Sequence, residues 1–337
     1  MSPMMQQRIH RFRQNKLGMV CLIVFGIIFV ITMCAELVAN DKPILVSYKN
    51  QLYMPVFKTY PETAFGGVFE TEADYKDPVV QKLIQDDGWM LNPLIPFSYD
   101  TPNLELTVPV PSKPTEQNWL GTDDQGRDVL ARIIYGLRIS LLFGICLTAA
   151  SAVLGIIIGA LQGYYGGWID LTGQRVLEIW GGLPQLFMVI ILVSMFSPSV
   201  YWLFVIMLFF GWTALVGLVR AEFLRARNFD YVRAARALGV SDSTIIFRHI
   251  LPNALSSTLS QLPFILTANI TALTALDFLG YGLPPDAASL GELLEQGKTN
   301  LTAPWLALSG FFTLAIVLSL LIYIGEATRD AFDPRQK

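Results

Sequence analysis

The sequence has few charges and few of the side chains on which catalysis depends. Charged residues make up 15% of its 337 residues, whereas a soluble domain carries about 25%. Its histidines are His10 and His249, and neither lies in a segment that offers the nucleophile and carboxylate of a serine triad. The three cysteines fall inside apolar runs and lack the spacing of metal ligands. We therefore expect no catalytic residues, no metal site and no cofactor.

A complete nucleotide-binding loop is also missing. Residues 291–299 read GELLEQGKT, with five residues between the two glycines, whereas the glycines of a P-loop are one residue closer together. The net charge of −3 is too small to imply a nucleic-acid partner. The chain is therefore expected not to be an enzyme that hydrolyses ATP. An active transporter built from it would need a separate ATPase.

Long apolar runs are what the sequence offers instead. Mean hydropathy is +0.47, and a membrane span needs about 20 apolar residues. Within one such run, Gly155, Gly159 and Gly163 have the GxxxG spacing that lets helices approach closely in lipid, and Pro184 should kink the next run. We predict an all-α membrane protein with six transmembrane helices, at residues 17–38, 139–164, 176–196, 200–219, 254–276 and 305–324.

Basic residues near the N-terminus set the predicted orientation. Arg8, Arg11, Arg13 and Lys16 precede the first apolar run, and cytoplasmic flanks carry an excess of Lys and Arg. Residues 1–39 are therefore expected to form a cytoplasmic N-terminus and the first span. Six spans return the chain to the cytoplasm, where residues 331–337 form a tail.

Residues 40–134 form the predicted extracytoplasmic segment, which is rich in proline and acidic residues as far as residue 118. Residues 44–57 alternate in polarity and can pair as strands, while residues 74–86 fit a short helix. We therefore predict a mixed segment between the first and second spans. Its acids favour contact with a partner or a cationic substrate, or else a solvated acidic loop.

The string GTDDQGRD at 121–128 leads into the second span. Its adjacent aspartates suggest a metal loop, but the later ligand positions of an EF-hand are absent, so a structural turn is favoured. Arg127, Arg132 and Arg138 would lie outside the cytoplasm, against the positive-inside bias. We expect these arginines to pair with the nearby acids Asp123, Asp124 and Asp128.

The second half of the chain has one long polar stretch between apolar runs, residues 220–253, with six arginines. It predicts two helices joined by a tight turn, because Gly239 suits the positive φ found just past a helix end. Pro252 should end the second helix. The expected N-terminal caps are Asn228 or Asp230 for the first helix and Ser241 for the second.

Two general interpretations of this stretch can be compared. A helix–turn–helix rich in arginine is typical of DNA-binding proteins, but both ends of this one run directly into apolar segments, which leaves no free soluble domain. An ordinary cytoplasmic loop also explains the arginines. It does not explain the ordered spacing of Ala234, Ala235, Gly239, Leu251 and Pro252, and small alanines suit a docking surface.

The stretch resembles the EAA loop of ABC importer permeases, which inserts into a groove on the cytoplasmic ATPase. Its string AARALG…RHILPN is similar to that of the peptide branch, in which Arg233 replaces a glutamate and His249 an aliphatic residue. The segments Gly121-Thr122-Asp123 and Gly126-Arg127-Asp128 resemble a second signature of that branch. The resemblance implies an ATPase-coupling surface made of Tyr231, Arg233, Ala234, Ala235, Ala237, Leu238, Gly239, His249, Leu251 and Pro252.

The resemblance also implies an architecture and a set of partners. Residues 135–330 would form the core of a type I ABC importer permease in a bacterial inner membrane. Its partners would be a second permease subunit, a cytoplasmic ABC ATPase and a periplasmic solute-binding protein. The implied substrate is a peptide, of microcin C or antimicrobial type, with a metal chelate as the alternative. A secondary transporter is a different class, but it usually needs charges inside the membrane.

Hydroxyl side chains in the fifth predicted span suggest a path through the bundle. Ser260, Thr267, Thr271 and Thr274 follow a helical periodicity, so they should share one face. That face can line a water-filled translocation path, or it can pack against another helix through small polar residues. The sequence leaves both interpretations open.

Overall fold

Apolar sequence runs fold as helices along most of this computed structural model, which describes residues 3–104, 106 and 108–332. The predicted tail at 331–337 therefore lies largely outside the described residues. Residues without a helix or strand are concentrated between Leu91 and Val129. The α-helices are α1 Pro3–Gln14, α2 Lys16–Met33, α3 Ala35–Val38, α4 Pro78–Asp87, α5 Val129–Tyr165, α6 Gly167–Gly181, α7 Gln185–Ser194, α8 Val200–Gly211, α9 Val216–Ala226, α10 Asp230–Ala237, α11 Asp242–Thr244, α12 Leu251–Leu259, α13 Leu262–Phe278, α14 Leu290–Thr299 and α15 Pro304–Phe332.

Among the described residues, four continuous helical stretches are long and apolar enough to cross a membrane. They are Lys16–Met33, Val129–Tyr165, Val200–Ala226 and Pro304–Phe332. The predicted kink at Pro184 is confirmed as a full break, because α6 and α7 meet there at 76°. The fifth predicted span is also interrupted, with α12 ending at Leu259 and α13 beginning at Leu262. The described residues therefore contain four candidate spans, or five if the bent pair α6 and α7 is one span, and α13 is a shorter apolar helix. The number of six spans stays a prediction.

A small mixed module lies between the first and second apolar helices. Strand β1 (Leu45–Tyr48) pairs antiparallel with both β2 (Gln51–Tyr53) and β3 (Gly88–Leu91). Helix α4 packs against this sheet, and Asp77 caps it by accepting a hydrogen bond from the Val79 amide. The predicted strands and short helix are therefore confirmed, although α4 begins later than the sequence suggested.

The described chain divides into two compact units. One contains Ser140–Pro284 with the terminal helical parts up to Gly26 and from Ala315, and the other contains Ile27–Ile139 and Pro285–Leu314. The predicted division into 1–39, 40–134, 135–330 and 331–337 was drawn by the side of the membrane on which each segment is expected. It was not drawn by compact units. It stays a prediction.

Close packing of α5 against α9 shapes the first unit. A Cβ atom at Gly155, Gly159 or Gly163 would lie within 2.8 Å of a carbonyl oxygen in the facing stretch, from Trp212, Val216 and Arg220 respectively. Glycine at these positions lets the two backbones touch, as the GxxxG spacing predicts. The same contact brings α5 to the beginning of the arginine-rich polar stretch.

Candidate coupling segment and buried charge cluster

The polar stretch Arg220–Asn253, hereafter the coupling segment, forms the predicted helix, turn and helical continuation. Gly239 has φ of +75°, and the Val240 amide donates to the Ala235 carbonyl across the turn at 3.1 Å. This is the bond pattern of a Schellman turn, which favours glycine after the last helical residue. Ser241 caps the second helix by accepting a hydrogen bond from the Thr244 amide, as predicted.

Two details of the prediction are wrong. Residue Phe229 occupies the N-cap of α10, and no side chain caps that helix, because the Asn228 amide group donates to the Leu224 carbonyl instead. Pro252 does not end the second helix. A π-helix covers Ile245–Ile250 and Pro252 lies in the first turn of α12, where a proline is tolerated because its missing N–H would have no partner in that helix.

One face of the coupling segment is anchored in a hydrophobic core. Val232 and Ala235 of α10 are buried together with Phe223, Ile245 and Ile250. Ala235 therefore fills space inside its own chain. Its neighbours on the other face are exposed, and they include most of the predicted coupling residues: Tyr231, Arg233, Ala234, Ala237, Leu238, Gly239 and Pro252. His249 and Leu251 are half-buried.

Tyr164, near the end of α5, connects both helices of the coupling segment. Its hydroxyl donates to Asp242 Oδ1 at 2.5 Å, and the Arg236 guanidinium lies over its ring at 5.3 Å from the centroid. The hydrogen bond with Tyr164 raises the pKa of Arg236 above its ordinary value. Sequence reasoning did not find Tyr164, because nothing local marks a tyrosine at the end of an apolar helix as a contact residue.

A second ionic contact holds the beginning of the coupling segment. Arg220 pairs with Asp170 of α6 through two hydrogen bonds, one of them Nη2 to Oδ2 at 2.8 Å. Both side chains are about three-quarters buried or more, with 27% and 17% exposed. Such a bidentate pair fixes the guanidinium plane as well as its charge. Asp170 was also missed, since fifty residues separate the partners.

The GTDDQGRD string forms a tight turn, as predicted. Gly121 and Gly126 both have φ of +77°, and Asp123 Oδ1 accepts hydrogen bonds from the amides of Gln125 and Arg127. Thr122 is fully buried. Asp128 accepts a bond from the Ala131 amide at the start of α5, and burial raises the pKa of its carboxyl above the usual range.

The arginines of this region lie in a buried charge cluster of Asp123, Arg127, Arg132 and Glu292. Asp123 Oδ2 lies 2.6 Å from Arg127 Nε and 3.5 Å from Arg132 Nε. Glu292 of α14 lies 3.1 Å from Arg127 Nη2 and 2.5 Å from Arg132 Nη2. The predicted pairing is confirmed for these two arginines. It is wrong for Arg138, which pairs with Glu36 at 2.5 Å.

Glu292 belongs to the GELLEQGKT string that resembled a nucleotide-binding loop. That string forms helix α14, capped by Ser289, so it has no phosphate-binding loop geometry. Its acidic residue serves as a counter-ion for two arginines. The signal available in the sequence was the need of Arg127 and Arg132 for another carboxylate, but nothing in the spacing pointed to a residue 160 positions away from Arg132.

The hydroxyl side chains of the fifth predicted span make hydrogen bonds within their own helix. Thr267, Thr271 and Thr274 each donate to the carbonyl four residues earlier in α13, at 2.8–2.9 Å, so their hydroxyls need no water or partner helix. Ser260 lies at the break before α13 and therefore does not continue their helix. A role of these four residues in a translocation path stays a prediction.

Asn269 has a more specific setting on α13. Its Nδ2 donates to Thr148 Oγ1 of α5 at 2.9 Å. It also lines a cavity of about 430 Å³ together with residues of α7, α8 and α13. None of the four predicted path residues lines that cavity.

Comparisons with known proteins agree with this arrangement. The family described as binding-protein-dependent transport system inner membrane component matches residues 152–337, and the N-terminal TM domain of oligopeptide transport permease C matches residues 2–55.

Similar full-length proteins are also known. The inner membrane ABC transporter permease protein YejE of Escherichia coli K12 is 56% identical, covering 100% of this chain and 98% of its own. The peptidoglycan transport system permease protein YejE of Agrobacterium fabrum is 51% identical, over 99% and 94%. The oligopeptide transport system permease protein OppC of Mycobacterium bovis is 33% identical, over 74% and 86%. The chain therefore belongs to the family of binding-protein-dependent transport system inner membrane components, and it has the ABC importer permease fold.

Proposed function

We propose that this chain is the permease subunit of an ATP-driven importer of peptides, and that a separate cytoplasmic ATPase docks on its coupling segment. The observation that carries the proposal is the two-sided character of α10 and the turn after it. One side is packed in the core, while Leu238 is 83% exposed and Tyr231 is 44% exposed on the other. Exposed apolar and basic residues on an anchored element are what a docking surface requires.

The relatives support a peptide as the substrate. The names of similar proteins include oligopeptide, dipeptide and peptidoglycan transport systems, and peptide units are common to these cargoes. Membership in a binding-protein-dependent family supports a periplasmic solute-binding protein as the delivering partner. The same membership supports a second, different permease subunit that completes the bundle.

Charge distribution supports the orientation of the subunit. Arg8, Arg11 and Arg13 precede the first span, and the coupling segment carries six arginines after the fourth. Short cytoplasmic loops carry such an excess of basic residues. Both termini and the coupling segment then lie in the cytoplasm, and the mixed module lies in the periplasm. The subunit transports and does not hydrolyse ATP itself.

The proposed mechanism is a two-state motion. ATP binding closes the ATPase pair, and the closure moves α10 as a rigid body because its inner face is packed against Phe223 and Ile245. Tyr164 and Arg220 transmit this displacement to α5 and α6. The bundle then opens toward the periplasm. ATP drives the change only because it binds the two states with different affinity.

Co-purification of the ATPase with a tagged permease tests the docking surface. The double variant Tyr231→Ala/Leu238→Glu should lose the ATPase while keeping its thermal stability, since both side chains are exposed. Val79→Glu is the matched control, because Val79 is also an exposed apolar residue but lies on α4 of the mixed module. Ala235→Glu is unsuitable because Ala235 is buried. Retention of the ATPase by the double variant would refute the docking role.

Labelling from either side of the membrane tests the orientation. The experiment uses a variant without its three native cysteines. In that variant, Leu238→Cys should react with a membrane-impermeant maleimide only when the reagent has access to the cytoplasmic side of the membrane. Val79→Cys should react from the periplasmic face. The opposite pattern would place the coupling segment out of reach of any cytoplasmic ATPase and would overturn the proposed function.

A further inference from the structure

The coupling segment continues into the fifth predicted span through an irregular stretch of helix. Helix α11, the π-helix Ile245–Ile250 and α12 follow one another without a gap. The Ile245 amide donates to the Ser241 carbonyl, four residues earlier, at 3.0 Å, as in an α-helix. The Leu251 amide donates instead to the Ile246 carbonyl, five residues earlier. The π-helix therefore holds an extra residue relative to a regular α-helix.

Two buried isoleucines account for this wider turn. Ile245 and Ile250 are both fully buried in the core that also contains Val232 and Ala235 of α10. Five residues of α-helix turn the chain by about 500°, which would leave these two side chains about 140° apart. Hydrogen bonds between residues five apart bring such positions onto one face of the helix. The π-helix thus allows both isoleucines to pack in the same core.

Pro252 and Asn253 act on the same junction from its C-terminal side. In an α-helix, a proline ring conflicts with the carbonyl four residues before it and leaves that carbonyl without its usual donor. For Pro252 this is the carbonyl of Arg248. The next carbonyl, that of His249, accepts a hydrogen bond from Asn253 Nδ2 at 3.2 Å. Pro252 therefore disfavours a regular α-helix here, while Asn253 supplies a side-chain donor.

The outer face of the π-helix is not held by packing. Phe247 is 67% exposed, and Arg248 is exposed as well. An exchange between hydrogen bonds of four-residue and five-residue spacing would displace these exposed residues most. Irregular stretches inside a helix are places where the helix can bend. The π-helix therefore has both a fixed inner face and an outer face that can change.

The two sides of the π-helix are anchored to different extents. On one side, α10 is packed through Val232 and Ala235 against Phe223 and Ile245. On the other side, Ala254 is the one described residue of α12 that belongs to the fully buried part of this hydrophobic core. Because the alanine side chain is small, a change in the angle of α12 requires little repacking.

We propose that the π-helix Ile245–Ile250 is a hinge at which α12 changes its angle to α10 when the ATPase moves. The coupling segment up to the π-helix would move with the ATPase, and α12 would follow this motion only in part. The inference rests on the proposed function, because it needs a partner that displaces α10. It adds a bending point between the docking surface and the fifth predicted span.

Distances between spin labels test the position of the hinge. The labels are attached to introduced cysteines in the cysteine-free variant, which is purified with its ATPase and reconstituted in nanodiscs. The pair Asp230→Cys and Leu259→Cys spans the π-helix, from the start of α10 to the end of α12. The control pair Leu259→Cys and Leu279→Cys spans the break before α13 and α13 itself. All three positions are exposed.

The distance across the π-helix should differ between the nucleotide-free complex and the complex trapped with ADP and vanadate. The control distance should be the same in both states. An unchanged distance across the π-helix would overturn the proposal, since α10 and α12 would then move as one body. A change in the control distance alone would also overturn it, because the bend would lie at the break before α13.

Deletion of Phe247 provides a second test with a matched control. It removes one residue from the π-helix and sets Ile245 and Ile250 four apart, which is the spacing of neighbours on one face of a regular α-helix. The deletion variant should keep its ATPase and lose both the change in distance across the π-helix and peptide uptake. Phe247→Ala removes the same side chain without shortening the chain, and it should retain both.

A wild-type change in distance in the deletion variant would contradict the hinge. If the deletion variant does not fold, the distances in the full-length chain still decide the question. The result is also separable from that of the proposed function. Absence of the ATPase from the purified wild-type complex would refute docking itself, whereas an assembled complex that imports peptide with no change across the π-helix refutes the hinge alone.

Discussion

The buried charge cluster and the coupling segment both depend on arginine, but they use it in opposite ways. Residues 121–132 contain three carboxylates for two arginines, whereas the coupling segment contains three for six. In the cluster, the side chains of Arg127 and Arg132 are 7% and 0% exposed, while that of Arg225 in the coupling segment is 70% exposed. In this chain the supply of counter-ions thus separates the arginines that are buried from those that stay exposed.

Removal of an arginine from the buried charge cluster should have the largest effect on the free energy of unfolding. It tests the buried side of the comparison. Arg132→Ala leaves Glu292 and Asp123 with an uncompensated charge in a buried site. Breaking a buried pair by removing one partner costs about 3–5 kcal/mol. Arg225→Ala, the exposed counterpart, should cost less than about 0.5 kcal/mol. Unfolding in mixed micelles measures both, and equal costs would contradict the role assigned to burial.

The Arg220–Asp170 pair is intermediate in burial and should be intermediate in effect. Asp170→Ala should cost about 2 kcal/mol, as expected for a hydrogen-bonded charge that retains some access to water. Glu178→Ala is the control in the same helix, because its pair with Arg175 leaves both side chains more than half exposed. If the control variant loses as much stability as Asp170→Ala, the exposure of an ion pair does not determine how much it stabilises the fold.

Tyr164→Phe sharpens the comparison by removing one hydroxyl beneath the coupling segment. The lost hydrogen bond to Asp242 should lower the free energy of unfolding by about 1 kcal/mol. It should also raise the number of ATP molecules hydrolysed per peptide imported, since α10 and α11 would move more independently of α5. Tyr165→Phe is the control, because that ring is 49% exposed. An unchanged ratio would remove Tyr164 from the proposed transmission.

The smallest effect concerns pH and the Asp128 carboxyl. Folding raises its pKa above the ordinary value of 3.8 through burial, so the folded state binds this proton more tightly than the unfolded state. Its contribution to stability therefore grows as the pH falls through the raised pKa toward 3.8, and it is lost as the pH rises again. As the pH is lowered from 7 to 4.5, the melting temperature of the wild type should therefore rise relative to that of Asp128→Asn. If the difference between the two melting temperatures stays constant, the buried Asp128 carboxyl does not make this contribution.

Local chemistry explains which parts of this fold could be predicted from the sequence. Apolar runs predict the helices, and Gly239, Ser241 and Pro184 predict a turn, a cap and a break that the structure confirms, because each acts within a few residues. The GTDDQGRD turn was predictable for the same reason, since Asp123 folds back onto amides two and four residues ahead.

Contacts between residues far apart in the chain could not be predicted from the sequence. Glu292, Asp170 and Tyr164 find partners between 50 and 165 residues away, and no local pattern encodes such distances. The hydrogen bonds of the α13 threonines were not foreseen for a different reason. A helix offers its own carbonyls at the fourth preceding residue as acceptors, and this option was not considered. Pro252 likewise did not end a helix because a π-helix precedes it.

The uninterrupted length of α5 has a consequence for the lipid around it. Its 37 residues at about 1.5 Å of rise make a rod of about 55 Å, nearly twice the roughly 30 Å thickness of a bilayer's hydrocarbon layer. The rod is therefore long enough for both of its ends to reach the headgroup zone in thick and thin membranes alike. Tilting this rod can absorb a change in acyl-chain length at little cost, so the activity of the subunit should depend only weakly on bilayer thickness.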